Sequence, residues 1–386
     1  MIESFFKAKE KNRFYPMKEA QKKGKHRAVR AMDAVKNAYP KAWISFERLR
    51  KKRGTQGFRR WPDWCYVPIA AADWLVSRGH QNVPSERLSH PAILAAIGAW
   101  RMTKSLYRFN QTLMFDLFKT PIDRDLPLSH LLHLPEWCLY ISLMDAGLKL
   151  DQRVVYGAWV HLNYAFAKGR PGQAEFCMVI DCAKDPKQPF ADNGLLCVPP
   201  LTIDGGSFAD YFVGLPDVEP QQSKKKKKGI DLNRPQDMRG VLSCVLSLAL
   251  YICADPEFTR RGRPGRPSNP LPKMKNDVSF EPLPAKFPLV WDVGQSVAEA
   301  LRRVYESKGA EPPGAPTKSE PKSEHTGGRC GHWYTFTSGP GARREAEASI
   351  HAVRTHQLRW IPPTPTDPFS LKSLHPLDDE RSRMPV

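Results

Sequence analysis

The sequence predicts an α+β protein: an antiparallel sheet with packed helices, a C-terminal β-hairpin and a basic N-terminal extension. Three observations predict it. Apolar residues keep helical spacing through the first third of the chain and change to a period of two after Pro121. The period-two runs are joined by short connections, which favour antiparallel neighbours over parallel crossovers. Near the C-terminus, His332-Trp333-Tyr334-Thr335-Phe336-Thr337 and His356-Gln357-Leu358-Arg359-Trp360-Ile361 flank a Gly339-Pro340-Gly341 break, as two strands flank a turn.

In chain order, residues 1–60 read as basic helical material broken at Pro16, Gly24 and Pro40, with Gly54 and Gly57 marking a joint before the body. The α+β body spans residues 61–306. Ser89 is placed to cap a helix over residues 91–119, in which Ile93, Ile97, Trp100, Tyr107, Met114 and Leu117 keep roughly helical spacing until Pro121. Residues 137–144, 154–166 and 176–181 alternate as strands do, and residues 195–203 form a further apolar run around Pro199-Pro200. Residues 241–254 are the most apolar segment; its 14 residues fall short of the roughly 20 that span a bilayer, so it predicts a buried helix. Two basic insertions, 221–230 and 260–284, have the composition of disordered chain. Residues 287–293 suit one more strand. Ser296-Val297-Ala298-Glu299 is a capping box opening a helix through Tyr305. Residues 307–328 form a linker, 329–363 a hairpin completing the body, and 364–386 a Pro-rich disordered tail.

The chain of 386 residues is long enough for a full core, and its net charge of +19 is unevenly placed. Residues 1–60 hold 19 Lys and Arg against 5 Asp and Glu, and residues 221–275 hold 13 against 4. The remainder is nearly neutral. Basicity confined to such segments suits contact with a polyanion, RNA or ribosome, better than a basic enzyme cleft would. The eight cysteines include no CxxC pair, and Cys138, Cys244 and Cys253 lie in apolar runs, as reduced core residues of a cytosolic protein do. Lys7, Lys9 and Lys11 precede no apolar stretch, so no secretory leader and no membrane association are expected.

Catalytic patterns are weak. Gly205-Gly206-Ser207 lacks the spacing of a nucleophile elbow, and no Gly-rich loop fits a phosphate cradle. His130, His133 and Cys138 have zinc-ligand chemistry at short spacing but no fourth partner, and Leu131, Leu132 and Leu134 around the histidines favour core positions. Neither a metal nor a cofactor is expected. His332 or His356 would have to act as the general base of any RNA-processing activity, with no second positioned group. For nucleic acid, Arg261, Arg263 and Arg266 stand in a sequence like an AT-hook core, in which extended arginines enter a narrow A·T minor groove. Lys224, Lys225, Lys226, Lys227 and Lys228 offer charge without aromatic side chains, hence sequence-independent contact with RNA or DNA. A mobile-element DNA-binding accessory protein is the alternative function these arginines support. The hairpin fits two roles: a structural element that closes a sheet, or a recognition surface made by His332, Trp333, Arg359 and Trp360.

Several strings occur in collinear order between about residues 60 and 363. They are Gly98-Ala99-Trp100-Arg101, Leu134-Pro135-Glu136-Trp137-Cys138-Leu139-Tyr140-Ile141 and Cys253-Ala254-Asp255-Pro256-Glu257. Arg266-Pro267-Ser268-Asn269-Pro270, Trp291-Asp292-Val293-Gly294, residues 298–305, Gly331-His332-Trp333 and Leu358-Arg359-Trp360-Ile361-Pro362-Pro363 follow. In this order the chain resembles the type V-A anti-CRISPR proteins that lower production of the type V-A (Cas12-class) effector nuclease, with their plasmid- and phage-encoded relatives. The resemblance implies a non-enzymatic protein of the bacterial host cytoplasm that recognises the emerging N-terminal polypeptide of the effector and brings about loss of its mRNA. It implies a body that binds peptide, for which Trp137, Trp159, Trp333 and Trp360 are the lining candidates, and basic segments that contact ribosomal or messenger RNA. It supplies no catalytic residues.

Overall fold

The computed structural model describes residues 15–16, 25–77, 84–123, 126–166, 172–203, 208, 211, 238–254, 283–307, 328–329, 331–338 and 355–365. The basic insertion of residues 221–230, nearly all of 260–284, and residues 308–327 and 366–386 lie outside them. In chain order the elements begin with strand β1 (Tyr15–Pro16), helices α1 (Arg27–Ala38), α2 (Ala42–Arg50), α3 (Ile69–Ser77) and α4 (His90–Trp100), strand β2 (Ser105–Phe109) and helix α5 (Gln111–Lys119). Strands β3 (Cys138–Ser142), β4 (Lys149–Leu150), β5 (Arg153–Val154), β6 (Gly157–Ala165), β7 (Gln173–Asp181), β8 (Leu195–Cys197) and β9 (Leu201–Thr202) follow. Then come helix α6 (Met238–Ala254), strand β10 (Leu289–Val293), helix α7 (Gln295–Ser307) and strands β11 (Gly328–Arg329), β12 (His332–Ser338), β13 (Thr355–Ile361) and β14 (Thr364–Pro365).

One eight-stranded sheet organises the molecule, in the order β1-β10-β2-β3-β6-β7-β8, with β9 also paired to β7. From β3 through β6 and β7 to β8 every pairing is antiparallel, as the short connections predict. The other half departs from that pattern: β10 pairs β2, and β2 pairs β3, in parallel. The reason lies in what intervenes. Between β2 and β3 the chain runs through α5 and a 3-10 segment, long enough for a crossover, and β10 arrives from far along the sequence.

Alternation along the strands divides the core in two. On one face Leu139, Ile141, Val160, Leu162, Phe176, Met178 and Ile180 pack with α5, α6 and α7. On the other, Cys138, Tyr140, Trp159 and Val179 pack with α1 to α4. Each fully buried large side chain here is worth about 1.5–3 kcal/mol of apolar transfer. Helix α6 is buried on nearly all sides, as its composition predicts. Among the described residues no helix is long and apolar enough to cross a membrane, and the seven described cysteines are free thiols.

Three local expectations change. Residues 91–119 are not one helix: α4 ends at Trp100, the chain turns through Lys104 at φ 53°, and β2 then enters the sheet. The Trp100 indole donates to the Ser105 carbonyl at 2.8 Å across that turn, and the Asn110 side chain accepts from the Thr112 amide at 3.0 Å to start α5. Trp100, Tyr107 and Met114 thus match a helical period while lying on three different elements. Second, α7 begins at Gln295, one residue before the predicted cap, with the Ala298 amide bonded to the Gly294 carbonyl. Gly294 makes this tight β10–α7 junction possible: its φ is +76°, and a Cβ there would meet Leu113 Cδ2 at 2.0 Å. Third, the hairpin of β12 and β13 is a ribbon of its own and adds no strand to the main sheet.

The span expected as a basic extension contributes heavily to the second core. Ala28, Val29, Met32 and Val35 of α1, and Trp43 and Phe46 of α2, are buried. Gly98 on α4 lets the Phe46 ring approach within 2.9 Å of where a Cβ would stand. An ion pair fixes the start of α1 to the end of β7: the Arg27 guanidinium donates to both Asp181 oxygens at 2.7 and 2.9 Å and to the Ala183 carbonyl at 2.6 Å. Tyr140 also donates to Asp181, at 2.9 Å, and the Tyr156 ring lies 3.5 Å from the guanidinium. A buried pair satisfied on all sides is costly to break from one end.

A candidate peptide cleft

The residues predicted to form a recognition surface divide between two places. Trp159 is fully buried on β6, edge-on to Trp100 and Tyr140. Trp137 is also buried; its indole donates to the Asp63 carbonyl at 2.7 Å, and the Arg50 guanidinium stands 4.6 Å above its ring. Both are core residues of the α1–α4 side, so neither lines an open site. In the hairpin, Trp333 and Trp360 are direct cross-strand partners and face the other core. The Trp360 indole donates to Thr120 Oγ1 at 3.0 Å, and its ring meets Tyr251 of α6. The alternate positions His332, Tyr334 and Arg359 are exposed, with Tyr334 opposite Arg359. Of the six candidates, only His332 and Arg359 therefore present themselves to solvent.

His130 and His133 lie in a 3-10 segment that packs on α6, whereas Cys138 points to the opposite face of the sheet. Among the described residues no group of three or more His, Cys, Asp or Glu side chains is placed to hold a metal ion. Lys224 to Lys228, Arg261, Arg263 and Arg266 all lie outside the described residues, as does Gly205-Gly206-Ser207.

The structure adds a site that the sequence pattern leaves hidden. Strand β7 pairs with β8 through Val179, Ile180 and Asp181 and with β9 through Glu175 and Phe176. Val198 still donates to the Met178 carbonyl at 3.2 Å, and Cys177 falls opposite the interruption at Pro199 and Pro200, where proline cannot donate to a ladder. A cleft of about 360 Å³ opens there, lined among others by Ile69, Ala70, Asn163, Phe166, Glu175 and Pro200.

Its polar side is fixed. The Ile69 amide, one of the unsatisfied donors at the start of α3, gives its proton to Asn163 Oδ1 at 2.9 Å. The Asn163 amide then donates to Glu175 Oε2 at 2.7 Å. Its apolar side is open. Phe166 is 48% exposed and edge-on to Tyr164, whose hydroxyl accepts from the Gly172 amide at 3.0 Å. Helix α3 is apolar yet buries only Ala72 and Val76; Trp74, one turn beyond Ala70, is 70% exposed. Burial pushes the Cys177 thiol well above its ordinary range, with Glu175 adding to the effect. The arrangement offers an apolar seat beside a positioned carboxylate and amide, which suits holding an apolar side chain together with a hydrogen-bond donor. The one sequence signal was the Pro199-Pro200 break in an apolar run.

Comparison with known proteins agrees with this architecture. The chain is 23% identical over 288 residues to Protein FinQ of Escherichia coli, covering 72% of this chain and 77% of that protein. Its fold is like that of the crystal structure of AcrVA2, with a TM-score of 0.57 at 16% identity over 89% of this chain and 99% of that one. The model of the AcrVA2-like family, described as the anti-CRISPR type V subtype A2 family, matches residues 107–366, from β2 through the C-terminal hairpin. This chain therefore belongs to the anti-CRISPR type V subtype A2 family.

Proposed function

We propose that this protein is a non-enzymatic counter-defence protein that recognises the nascent polypeptide of a type V-A effector nuclease and brings about loss of its mRNA. Family membership over residues 107–366 carries the anti-CRISPR role. The cleft supports the peptide step. A nascent chain is extended and presents alternating side chains and free backbone amides; an apolar seat between Phe166 and Pro200, with Glu175 beside it, matches that chemistry. Trp74 stands exposed one helical turn beyond Ala70, which lines the cleft.

Binding of a fluorescent peptide carrying the effector's N-terminal residues tests the proposal. Wild-type protein should bind it, and F166A and W74A should weaken binding at least tenfold with unchanged melting temperature. Equal binding by both variants would remove the cleft from the mechanism.

A further inference from the structure

The described part of the N-terminal region, residues 25–60, carries 12 Lys and Arg against 2 Asp and Glu. Both acids are engaged internally: Asp33 pairs with Lys25 at 2.9 Å, and Glu47 pairs with the buried Arg101. Residues 48–60 contain seven basic side chains and no acid. Nearby Asp63 serves Arg53 at 2.7 Å and Arg50 at 3.3 Å. Arg50 itself is turned inward, donating to the Cys65 and Tyr66 carbonyls. Among the described residues, Arg48, Lys52, Arg59 and Arg60 remain outside these pairs, and all four are exposed.

These side chains stand on an ordered support. After α2 the chain folds through successive turns: Arg53 amide to Arg50 carbonyl, Thr55 amide to Lys52 carbonyl and Phe58 amide to Thr55 carbonyl, all at 2.9–3.0 Å. The Gly54 amide reaches the Phe58 carbonyl at 3.1 Å. Gly54 and Gly57, at φ +83° and +87°, permit this path. Phe58 packs against Trp61. The sequence marks these glycines as a joint; the structure makes them part of a basic knuckle.

We propose that this knuckle, residues 51–60 with Arg48 at the end of α2, docks the phosphodiester backbone of a nucleic acid. The guanidinium and ammonium groups of Arg48, Lys52, Arg59 and Arg60, outside the ion pairs above, match phosphate oxygens, and an ordered turn loses little entropy on contact. The turn exposes no large apolar side chain, so it lacks the wedge of a membrane-surface segment and the anchor of a protein hot spot. The knuckle shares no residue with the lining of the peptide cleft, and its proposal does not depend on that site.

Fluorescence anisotropy of the full chain with a labelled 20-nucleotide single-stranded RNA, a 20-base-pair DNA duplex and phosphatidylserine-containing vesicles tests the assignment. K52Q/R59Q/R60Q should weaken nucleic-acid binding roughly tenfold or more and flatten the log–log salt slope by about 2, since each single-strand phosphate contact contributes about 0.7. R59K/R60K should keep the wild-type slope. The tighter of the RNA and DNA arms identifies the physiological class. Unchanged affinity in the triple glutamine variant would overturn the proposal. So would preferential vesicle binding, or a loss confined to a variant with Lys224 to Lys228 replaced by Gln.

Discussion

Acid should destabilise this fold through His161, by an amount that its surroundings set. His161 is buried on β6, in register with Cys138 on one side and Cys177 on the other. Among the described residues neither ring nitrogen has a hydrogen-bond partner, and burial lowers its pKa from 6.5 to about 4. Below pH 6.5 the unfolded chain takes up a proton that the folded chain refuses until about pH 4. Stability from this group is therefore complete above pH 6.5 and is lost as pH falls towards 4. At about 1.4 kcal/mol per unit the full loss is roughly 3 kcal/mol, of which about 2 kcal/mol is reached at pH 5. His26, also lowered to about 4 by burial, with Arg27 and Arg30 adding to the effect, acts in the same direction. Asp116, raised to about 6 by burial, acts in the opposite one. A variant isolates His161 from both. Urea unfolding of wild type and H161L at pH 7.5 and pH 5 should show about 2 kcal/mol less pH dependence in the variant. Equal pH dependence would refute a buried, neutral His161.

Other perturbations have equally definite outcomes. R27M leaves the Asp181 carboxylate buried without its cation and should cost about 3–5 kcal/mol by urea denaturation, whereas R27M/D181L should recover part of that loss. G294A forces a Cβ against Leu113 at a left-handed position and should lower stability by roughly 1–3 kcal/mol in the same assay. W360F removes the bond to Thr120 and should cost about 1 kcal/mol, while H332A on the outer face should stay within about 0.5 kcal/mol of wild type by thermal melting.

Legibility in the sequence tracked how far each signal is local. Alternation in residues 154–166 and 176–181 marks β6 and β7, and the aromatic runs around Trp333 and Trp360 mark the two hairpin strands, but grouping His332, Trp333, Arg359 and Trp360 as one surface joins side chains that the period of two sends to opposite faces. Helix α6 was evident from its uninterrupted apolar run. Residues 91–119 misled because a Lys104 turn carries no glycine or proline and the next strand continues the helical spacing by coincidence. Burial of α1 and α2 was masked by their charge: the apolar stripe of Ala28, Met32 and Val35 shares a helix with Arg27, Arg30 and Lys36. Trp137 and Trp159 suit a binding surface by sequence and stand in the core, since aromatic size fits both settings and only the register distinguishes them. The cleft depends on Asn163, Glu175 and Ile69 meeting across three elements, which no linear spacing encodes.

If, as proposed, a nascent polypeptide directs loss of its own message, the transcript of the effector responds to the peptide it encodes. Effector transcript should be measured in cells expressing this protein, for the native effector gene, for a version recoded with synonymous codons across its first segment, and for a version frameshifted over that segment and then restored. The native and recoded transcripts should fall several-fold and the frameshifted one should persist, because only the first two encode the recognised peptide. Equal levels of all three transcripts with and without the protein, with interference intact, would contradict the account.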